Sequence, residues 1–319
     1  MLSVVESNWA PPTLSWTGTA GMLRSVRIAV VAALIVLAYW GPIQHYLVAR
    51  WISDGNWSHG WLIPLFSVYF LVIRRDQLAR CVPRTNYLGA VILAVSLTVY
   101  FFSAWRIRMA YPQSLSIVGT IFGATLLLGG WTVMRIAWFP ILFLILAIPL
   151  PQSVYVELTR PLRELASTAS AATLPLFIPG LHTEAQAVVI DYMRPGMPAG
   201  QLNVEEACSG MRLMMAFVTL GVATAYLGDR PTWQRLIMVA SCIPIAVLCN
   251  TVRVTTTGLL TITGHQEYAQ GTPHQLLGIV MLALALGCYA LIGYVLSHLF
   301  VEMPQEASAS PGVRGKVSK

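Results

Sequence analysis

The sequence predicts an all-α polytopic membrane protein with about eight transmembrane helices and a short exocytoplasmic α/β segment between helices five and six. Of the 319 residues, 56% are hydrophobic and only 10% are charged, whereas soluble domains carry about 25% charged residues. The apolar residues form long continuous runs, which favour helices over the short alternating segments of a barrel. The runs are residues 28–49, 60–73, 87–105, 112–130, 134–150, 209–228, 236–258 and 276–300.

Each run is close to the roughly 20 residues that are needed to cross a hydrocarbon core about 30 Å thick. Residues 60–73 form the shortest run, which Pro64 interrupts. The first run follows Arg24 and Arg27, and no small-residue cleavage site lies near its end. We therefore expect a retained membrane anchor and no cleavable signal peptide.

Basic residues in the loops give the predicted orientation. With eight spans, the N-terminal flank, the loops after spans two, four and six, and the C-terminal tail all fall on one side of the membrane. Because cytoplasmic loops are enriched in lysine and arginine, we expect this side to be cytoplasmic. The same enrichment accounts for the net charge of +7, which therefore does not indicate nucleic-acid binding. The residues are Arg24, Arg27, Arg74, Arg75, Arg80, Arg84, Arg135, Arg230, Arg235, Arg314, Lys316 and Lys319.

This topology divides the chain into three parts. Residues 1–23 form an N-terminal cytoplasmic segment, and residues 24–302 form a single transmembrane domain. The tail, residues 303–319, is rich in Ser, Ala, Pro and Gly, a composition that predicts disorder.

Residues 151–207 are predicted to be the main exocytoplasmic segment. Its first part, residues 155–177, is mildly amphipathic and either lies along the membrane interface or dips into it. Residues 186–190 and 201–204 alternate between apolar and polar, which predicts two short strands around a Pro/Gly-rich turn.

Three residues suited to cysteine-based acyl transfer are predicted at one face of the membrane. Cys208 lies at the outer entrance of span six, and His274 directly precedes span eight. Arg253 lies about 17 residues into span seven, roughly 26 Å from its cytoplasmic end. Because the orientation was set by arginines elsewhere, this agreement in side and depth is an independent observation.

Cys208 is the only one of the five cysteines expected at the outer face. Cys81 falls in a cytoplasmic loop, and the other three lie inside spans, where a cysteine usually behaves as a small hydrophobic residue. A helix N-terminus and nearby cations favour the nucleophilic thiolate form of cysteine. Cys208 is predicted at such a helix start, so it is the candidate nucleophile.

Four further polar residues are candidates for substrate binding or support, and each has a plainer alternative. Arg212 shares a helix face with Cys208 or snorkels to the interface. Glu206 orients a basic substrate group or His274, or is simply a solvated or helix-start charge. Asn250 precedes Arg253 by one turn, and Arg253 itself stabilises an oxyanion, grips a carboxylate or snorkels to lipid phosphate.

His59, in the stretch 54–60, either lines the substrate path or belongs to an interfacial aromatic belt. A loop histidine such as His274 often has no special role, but the glycine one turn later permits close helix contact. No Cys/His spacing resembles a zinc site, and we see no phosphate-binding glycine loop. We therefore expect neither a metal nor a cofactor.

At this point the motifs resemble the exosortase/archaeosortase family of membrane-embedded cysteine transpeptidases, and the match covers most of the chain. Each motif is weak alone, but their order and spacing are specific. They are Asn56-Trp57-Ser58-His59-Gly60-Trp61-Leu62-Ile63-Pro64, Phe139-Pro140, Ile148-Pro149-Leu150-Pro151, Glu206-Ala207-Cys208-Ser209-Gly210-Met211-Arg212, Asn250-Thr251-Val252-Arg253, and His274 with Gly278.

The resemblance implies roles for the three reactive residues. Cys208 would be the nucleophile, Arg253 would stabilise the transition state, and His274 would be the third catalytic member. Archaeal relatives have arginine at that third position, so the histidine indicates a bacterial exosortase-like protein. Trp57 departs from the family pattern, since many members have tyrosine there.

The resemblance also implies a substrate, an acceptor and a location. Exported proteins would carry a C-terminal tail with a short motif such as Pro-Glu-Pro, a hydrophobic helix and a basic cluster. Cleavage would form a thioester on Cys208, which passes to a lipid or glycan acceptor. The protein would lie in the bacterial inner membrane, with both termini cytoplasmic and the active site exocytoplasmic, often beside exopolysaccharide assembly.

The sequence is also compatible with two other functions. One is a non-enzymatic membrane component of exopolysaccharide assembly or export, such as a transporter. Transporters usually place ionisable residues near the bilayer midplane within paired halves, whereas here these residues cluster at one face. The other is an intramembrane hydrolase whose acceptor is water.

Overall fold

The computed structural model describes residues 19–203, 210–228, 231–269 and 271–299. For several helix ends within these ranges, including 210–214 and 271–275, it describes the backbone alone. The described chain is mostly helical and has one small sheet. Its helices are α1 (Thr19–Ala38), α2 (Trp40–Ser53), α3 (Leu62–Ile73), α4 (Arg75–Ala79), α5 (Tyr87–Phe102), α6 (Ala110–Phe143), α7 (Gln152–Phe177), α8 (Gly210–Leu227), α9 (Thr232–Ala240), α10 (Cys242–Ile262), α11 (Gln266–Ala269) and α12 (Gly271–Leu299).

Several helices are long and apolar enough to cross a membrane. Within the described ranges there are four, and five if the bent pair formed by α1 and α2 counts as one span. The four are Tyr87–Ile107, Ala110–Ala147, Thr232–Ile262 and Leu276–His298. The protein is therefore a helical, multi-pass membrane protein, whereas the predicted number of eight spans is not confirmed.

The difference between the two counts has three identifiable sources. Helix α3 has only 12 residues, which is short for a span. The apolar part of α8 whose side chains are described, Met215–Leu227, is also short. Predicted spans four and five are joined in the single helix α6, which continues as a 3-10 turn to Ala147.

The boundary between predicted spans four and five coincides with a break inside α6. Gly130 has φ +67° and ψ −171°, a backbone conformation that essentially only glycine adopts. Here the segment before α5 lies against α6. The backbone N–H of Arg84 donates to the carbonyl oxygen of Gly129 over 3.4 Å, and a Cβ at position 130 would collide with the carbonyl oxygen of Arg84.

The N-terminal half of the chain is held together where α2, α3 and the end of α6 meet. The Trp51 indole Nε1 donates to the carbonyl oxygen of Ala147 over 2.8 Å, and the Tyr46 hydroxyl donates to that of Pro149 over 2.7 Å. On α3, the Ser67 hydroxyl donates to the carbonyl oxygen of Pro140 over 2.6 Å. These bonds satisfy carbonyl groups around the prolines and join motifs that are distant in the sequence.

The described part of the predicted exocytoplasmic α/β segment 151–207, residues 151–203, contains one long helix and three strands. Helix α7 is followed by β1 (His182–Gln186), β2 (Val189–Met193) and β3 (Gly200–Asn203), which pair antiparallel in the order β1-β2-β3. Which side of the membrane this segment faces stays a prediction.

The strand boundaries differ from those predicted because a tight turn interrupts the alternating pattern. Residues 186–190 were expected to form one strand, but Gln186 pairs with Val189 and Ala187 adopts a positive φ of 53°. The predicted strand therefore straddles a two-residue hairpin turn. The strand predicted at 201–204 is close to β3. Because only two strands were predicted, the division of the first one into β1 and β2 was missed.

The sheet packs its apolar face onto the helices. Ile190 and Leu202 are directly paired across β2 and β3 and are buried. They belong to one apolar cluster with Leu174 of α7 and with Val254 and Ile262 of α10. The sheet is thus fixed at the C-terminal ends of both helices.

We expect Gly130→Ala to destabilise the protein by about 2–3 kcal/mol, because alanine is strained at this φ and its Cβ would collide with the main chain of Arg84. Thermal unfolding in detergent measures the effect. Gly287→Ala is the matched control, since a Cβ at position 287 on α12 would meet no atom within 4 Å. Equal melting temperatures for the two variants would contradict the role assigned to Gly130.

Candidate functional site

Arg253 is a buried charge on α10. Only 2% of its surface is exposed, although α10 lies in a segment apolar enough to span a membrane. Asn250, one turn earlier, is partly buried. An ionisable group inside a span is costly and marks a functional site by default, so the surroundings of Arg253 define the candidate site.

Helices α10 and α12 run antiparallel, and two contacts fix their register. At the first contact, Cys242 of α10 and Tyr289 of α12 both donate to the carbonyl oxygen of Phe217 on α8, over 3.8 and 3.2 Å. At the second, the Cys249 thiol of α10 donates to the carbonyl oxygen of Met281 on α12 over 3.7 Å. Moving four residues on from Cys249 reaches Arg253. On the antiparallel partner this corresponds to moving four residues back from Met281, to Leu277.

His274 therefore belongs to the same end of the helix pair as Arg253. It lies in the first turn of α12, three residues before Leu277, and three residues make about one helical turn. Its side chain is outside the described atoms. The backbone register brings the first turn of α12 to the level of Arg253, as the sequence-based depth argument predicts.

Helix α8 is antiparallel to α10 as well. Position 221 of α8 faces α10, because a Cβ added at Gly221 would touch the Cys242 sulfur. Eleven residues separate Cys242 from Arg253, and eleven residues back from Gly221 lies Gly210, the first residue of α8. The start of α8 is therefore approximately level with Arg253.

The end of β3 lies near the same part of α10. Leu202 comes within 3.0 Å, and Leu174 of α7 within 3.3 Å, of the position that a Cβ would occupy at Gly258. Gly258 follows Arg253 by little more than one helical turn. The chain thus leaves β3 beside the last turns of α10 and enters α8 level with Arg253.

A seven-residue 3-10 turn, Gly55–Trp61, contributes a stack of rings beside α8. Trp57 is almost completely buried, and its ring lies 5.8 Å from that of His59 and 5.8 Å from that of Tyr155 on α7. The Trp57 indole is therefore held by ring contacts on both sides.

Glycine follows His59 for a steric reason. A Cβ at Gly60 would overlap the indole of Trp51, which lies across this residue and donates to the Ala147 carbonyl. The turn itself begins at Asp54, whose side chain accepts from the backbone N–H of Asn56 over 3.0 Å. This cap and this close contact fix the orientation of the His59 segment.

The imidazole of His59 is held neutral by its surroundings. Burial lowers its pKa from 6.5 to about 4, and the nearby Asn56 backbone only partly opposes that shift. Neither ring nitrogen has a hydrogen-bond partner within the part of the chain that is described. At neutral pH this imidazole can donate and accept one hydrogen bond each.

Helix α7 presents an unusual polar face to the protein interior. Thr159, Arg163, Ser167 and Ser170 recur at intervals of three or four residues and are all at most 4% exposed. Ser170 donates to the carbonyl oxygen of Thr251 over 3.3 Å, which ties this face to α10 close to Arg253. Arg163 was not among the predicted site residues, although the spacing of these polar residues indicates that they share one helix face.

The predicted site residues have different outcomes. Arg253, Asn250 and His59 lie in described parts of the site, whereas only the helix positions of Arg212 and His274 are described. Cys208 and Glu206 lie outside the described residues, between Asn203 and Gly210. The roles of all seven residues stay predictions. Among the described residues no group of three or more metal-ligating side chains occurs.

The chain matches a protein-family model. A family described as transmembrane exosortase matches residues 51–291, more than half of the chain. The matched range includes the 3-10 turn, α7, the sheet and most of α12. Searches of the curated proteins and of the solved structures give no match.

We expect the wild-type protein to lose about 1–2 kcal/mol of stability from His59 between pH 7 and pH 5. In that window an unfolded histidine takes up a proton below about pH 6.5, whereas folded His59 resists protonation down to about pH 4. Stability from this group is therefore complete above pH 6.5 and falls as the pH falls. The measurement is thermal unfolding in detergent as a function of pH.

His59→Gln removes this titration while the other histidines still titrate. The free energy of unfolding of wild type, measured relative to that of the variant, should therefore fall from pH 7 to pH 5. A difference that stays constant over this range would contradict the burial of a neutral imidazole.

Proposed function

Because the chain belongs to the transmembrane exosortase family, we propose that it is a membrane-embedded cysteine transpeptidase. It cleaves the C-terminal sorting signals of exported proteins and transfers the shortened proteins to an acceptor. The proposed substrates carry a short motif, a hydrophobic helix and a basic cluster, and the acceptor is a lipid or a glycan precursor. We place the protein in the bacterial inner membrane, with the reaction on the exocytoplasmic face.

One observation carries the proposal: the starts of α8 and α12 lie level with the buried Arg253, and β3 ends little more than one helical turn away along α10. The first turn of α12 carries His274, α8 begins two residues after Cys208, and β3 ends five residues before it. The contacts of Leu202, Gly221 and Met281 that fix these levels all lie within the described chain. Residues 204–209 connect two such anchored ends. This supports the proposal that the Cys208 thiol, the Arg253 guanidinium and the His274 imidazole lie close together.

In the proposed acylation step, the Cys208 thiolate attacks the carbonyl carbon of the scissile peptide bond. A C–S bond forms, and the negative charge moves to the carbonyl oxygen. The Arg253 guanidinium stabilises this oxyanion, and its burial strengthens the interaction because no water screens it. His274 accepts the thiol proton and returns it to the leaving amine as the C–N bond breaks.

In the second step, the nucleophile of the acceptor attacks the thioester. His274 removes its proton, the C–S bond breaks, and the thiolate leaves. We assign the supporting roles to Arg212, Asn250, His59 and Glu206, which would orient the substrate or the catalytic groups. The neutral imidazole of His59 suits a hydrogen bond to a substrate amide.

The test is intact-mass analysis of a co-expressed exported protein that carries a hydrophobic C-terminal tail. With the wild-type enzyme we expect loss of the tail together with an added mass that identifies the acceptor. Cys208→Ala should leave the tail uncut while the enzyme stays in the membrane. Cys81→Ala is the matched control, because this partly buried thiol hydrogen-bonds the carbonyl oxygens of Gln77 on α4 and Thr132 on α6.

Each outcome has a defined meaning. Tail loss without added mass would indicate a hydrolase with water as the acceptor. Normal processing by Cys208→Ala would contradict the proposed nucleophile. Uncut substrate in every strain, across several tail motifs, would favour the non-enzymatic role in exopolysaccharide assembly or export.

We expect Arg253→Lys to reduce the rate of tail cleavage by about 100-fold or more, because a single ammonium cannot reproduce the planar guanidinium at a developing oxyanion. The rate is measured by pulse-chase of the substrate, with the enzyme level checked in the membrane fraction. Arg106→Gln, at an exposed position, should cleave at the wild-type rate. A rate within threefold of wild type for Arg253→Lys would refute the assigned role.

A further inference from the structure

A partly buried arginine lies where the apolar helix α3 ends. Arg74 is the C-cap residue of α3, and its guanidinium carbon lies 4.5 Å from the centroid of the Tyr226 ring on α8. Phe139 of α6 stacks on the same ring, with centroids 3.7 Å apart and ring planes inclined by 8°. Since the parallel Phe139 ring covers one face of Tyr226, Arg74 covers the other. Tyr226 is thus an aromatic platform that holds the guanidinium between α3 and α8.

Arg74 has no carboxylate partner among the described residues, whereas its neighbour in the chain has one. Arg75 is exposed and lies 3.8 Å from the Asp76 carboxylate. Stacking on a ring leaves the N–H donors at the edge of a guanidinium available. Arg74 therefore presents a positive charge that no described side chain neutralises.

Arg135 of α6 lies at nearly the same level as Arg74. Both α3 and the 3-10 turn before it contact the turn that follows α6, and Ser67 of α3 donates to the carbonyl oxygen of Pro140, so the two segments run antiparallel. Arg74 follows Ser67 by seven residues, and the same step back from Pro140 ends two residues from Arg135. Arg135 also precedes Phe139 by one turn, on the same side of α6.

The side chain of Arg135 is exposed and has no carboxylate partner in the ranges that the structure describes. Two guanidinium groups from different helices therefore lie at one level without a protein counter-ion there. Such an arrangement favours an anion from outside the protein.

The surface of α3 that leads to Arg74 is apolar. Leu65, Val68 and Val72 are exposed and recur at intervals of three and four residues, so they form one face of the helix. In a membrane this face contacts acyl chains. The surface changes from apolar to basic within one helical turn, which matches the order of acyl chain and phosphate in a phospholipid.

This basic end of α3 is distant from the candidate functional site. Tyr226 follows Gly210, the first residue of α8, by 16 residues, which is roughly 24 Å along the helix. The start of α8 is level with Arg253, so the two regions lie near opposite faces of the membrane.

We propose that Arg74 and Arg135 bind the phosphate of an anionic phospholipid whose acyl chain lies along the exposed face of α3. Guanidinium groups bind phosphate oxygens through paired N–H donors, and basic pockets between membrane helices recognise lipid headgroups. The two positive charges repel the ammonium group of a zwitterionic headgroup, so the lipid is an anionic one. A free phosphate would leave the apolar face of α3 unused.

The test is thermal unfolding of the purified full chain in a neutral detergent. Phosphatidylglycerol, phosphatidylcholine and inorganic phosphate are each added over the same range of concentrations. A ligand that binds only the folded protein raises its melting temperature. For wild type we expect an increase of about 5 °C near saturation with phosphatidylglycerol, and less than about 1 °C with either of the others.

Arg74→Gln and Arg135→Gln should each weaken the apparent affinity for phosphatidylglycerol at least tenfold, because each removes one guanidinium. Arg75→Gln is the matched control, since Arg75 is the next residue and is exposed, and it should keep the wild-type affinity. Arg74→Gln also loses the contact with Tyr226, so the readout is the increase caused by lipid rather than the melting temperature itself. Arg135→Gln removes an exposed side chain and tests the site without that complication.

A second readout is the lipid that remains bound after extraction from the membrane. Native mass spectrometry should detect a retained anionic phospholipid on wild type and on Arg75→Gln. The same adduct should be reduced at least tenfold on Arg74→Gln and on Arg135→Gln.

Three results would overturn the lipid site. Equal increases with phosphatidylglycerol and phosphatidylcholine would contradict the selection of an anionic headgroup. An equal increase with inorganic phosphate would replace the lipid by a free anion, and wild-type affinity in both Arg74→Gln and Arg135→Gln would remove the site altogether. Because none of these measurements involves tail cleavage, they leave the proposed function untouched.

Discussion

The carbonyl oxygen of Phe217 is the point on which the register of the C-terminal helices depends. Tyr289 of α12 and Cys242 of α10 both donate to it from neighbouring helices. Gly221, one turn later on α8, has no side chain that would push these donors away. Since helix packing in a membrane relies on close contact and interhelical hydrogen bonds more than on the hydrophobic effect, this small polar contact fixes three helices lengthwise.

Once that register is set, the relative heights of the other ends of α8, α10 and α12 are also determined. Arg253, the start of α8 and the first turn of α12 follow from it by helix geometry alone. The sheet adds a further restraint, because Leu202 packs beside Gly258. Burial of charge at this end costs free energy, and the protein tolerates it because the apolar contacts elsewhere on the same helices hold the ends in place.

The sequence predicts this end of the structure better than it predicts the number of spans. Arg253 and His274 were assigned to one depth by counting residues from span ends, and the helix register agrees for their backbone positions. Gly130 shows why spans were harder to count: its backbone breaks α6 without ending it. The β1–β2 hairpin was missed because its two-residue turn, Ala187-Val188, contains none of the residues that usually mark turns. Arg163 was missed because a buried polar helix face resembles a surface helix until its neighbours are known.

The attachment of β3 and α8 to α10 makes the connection between them a short covalent tether. Seven peptide links join Asn203 to Gly210, and at full extension they span about 25 Å. Covalent geometry alone keeps any group on this connection within about 25 Å of both its ends, so the effective concentration of such a group towards α10 is set by the number of residues between β3 and α8. Lengthening this connection would therefore weaken the restraint that its two anchored ends impose, since every inserted residue enlarges the volume open to a group carried on it.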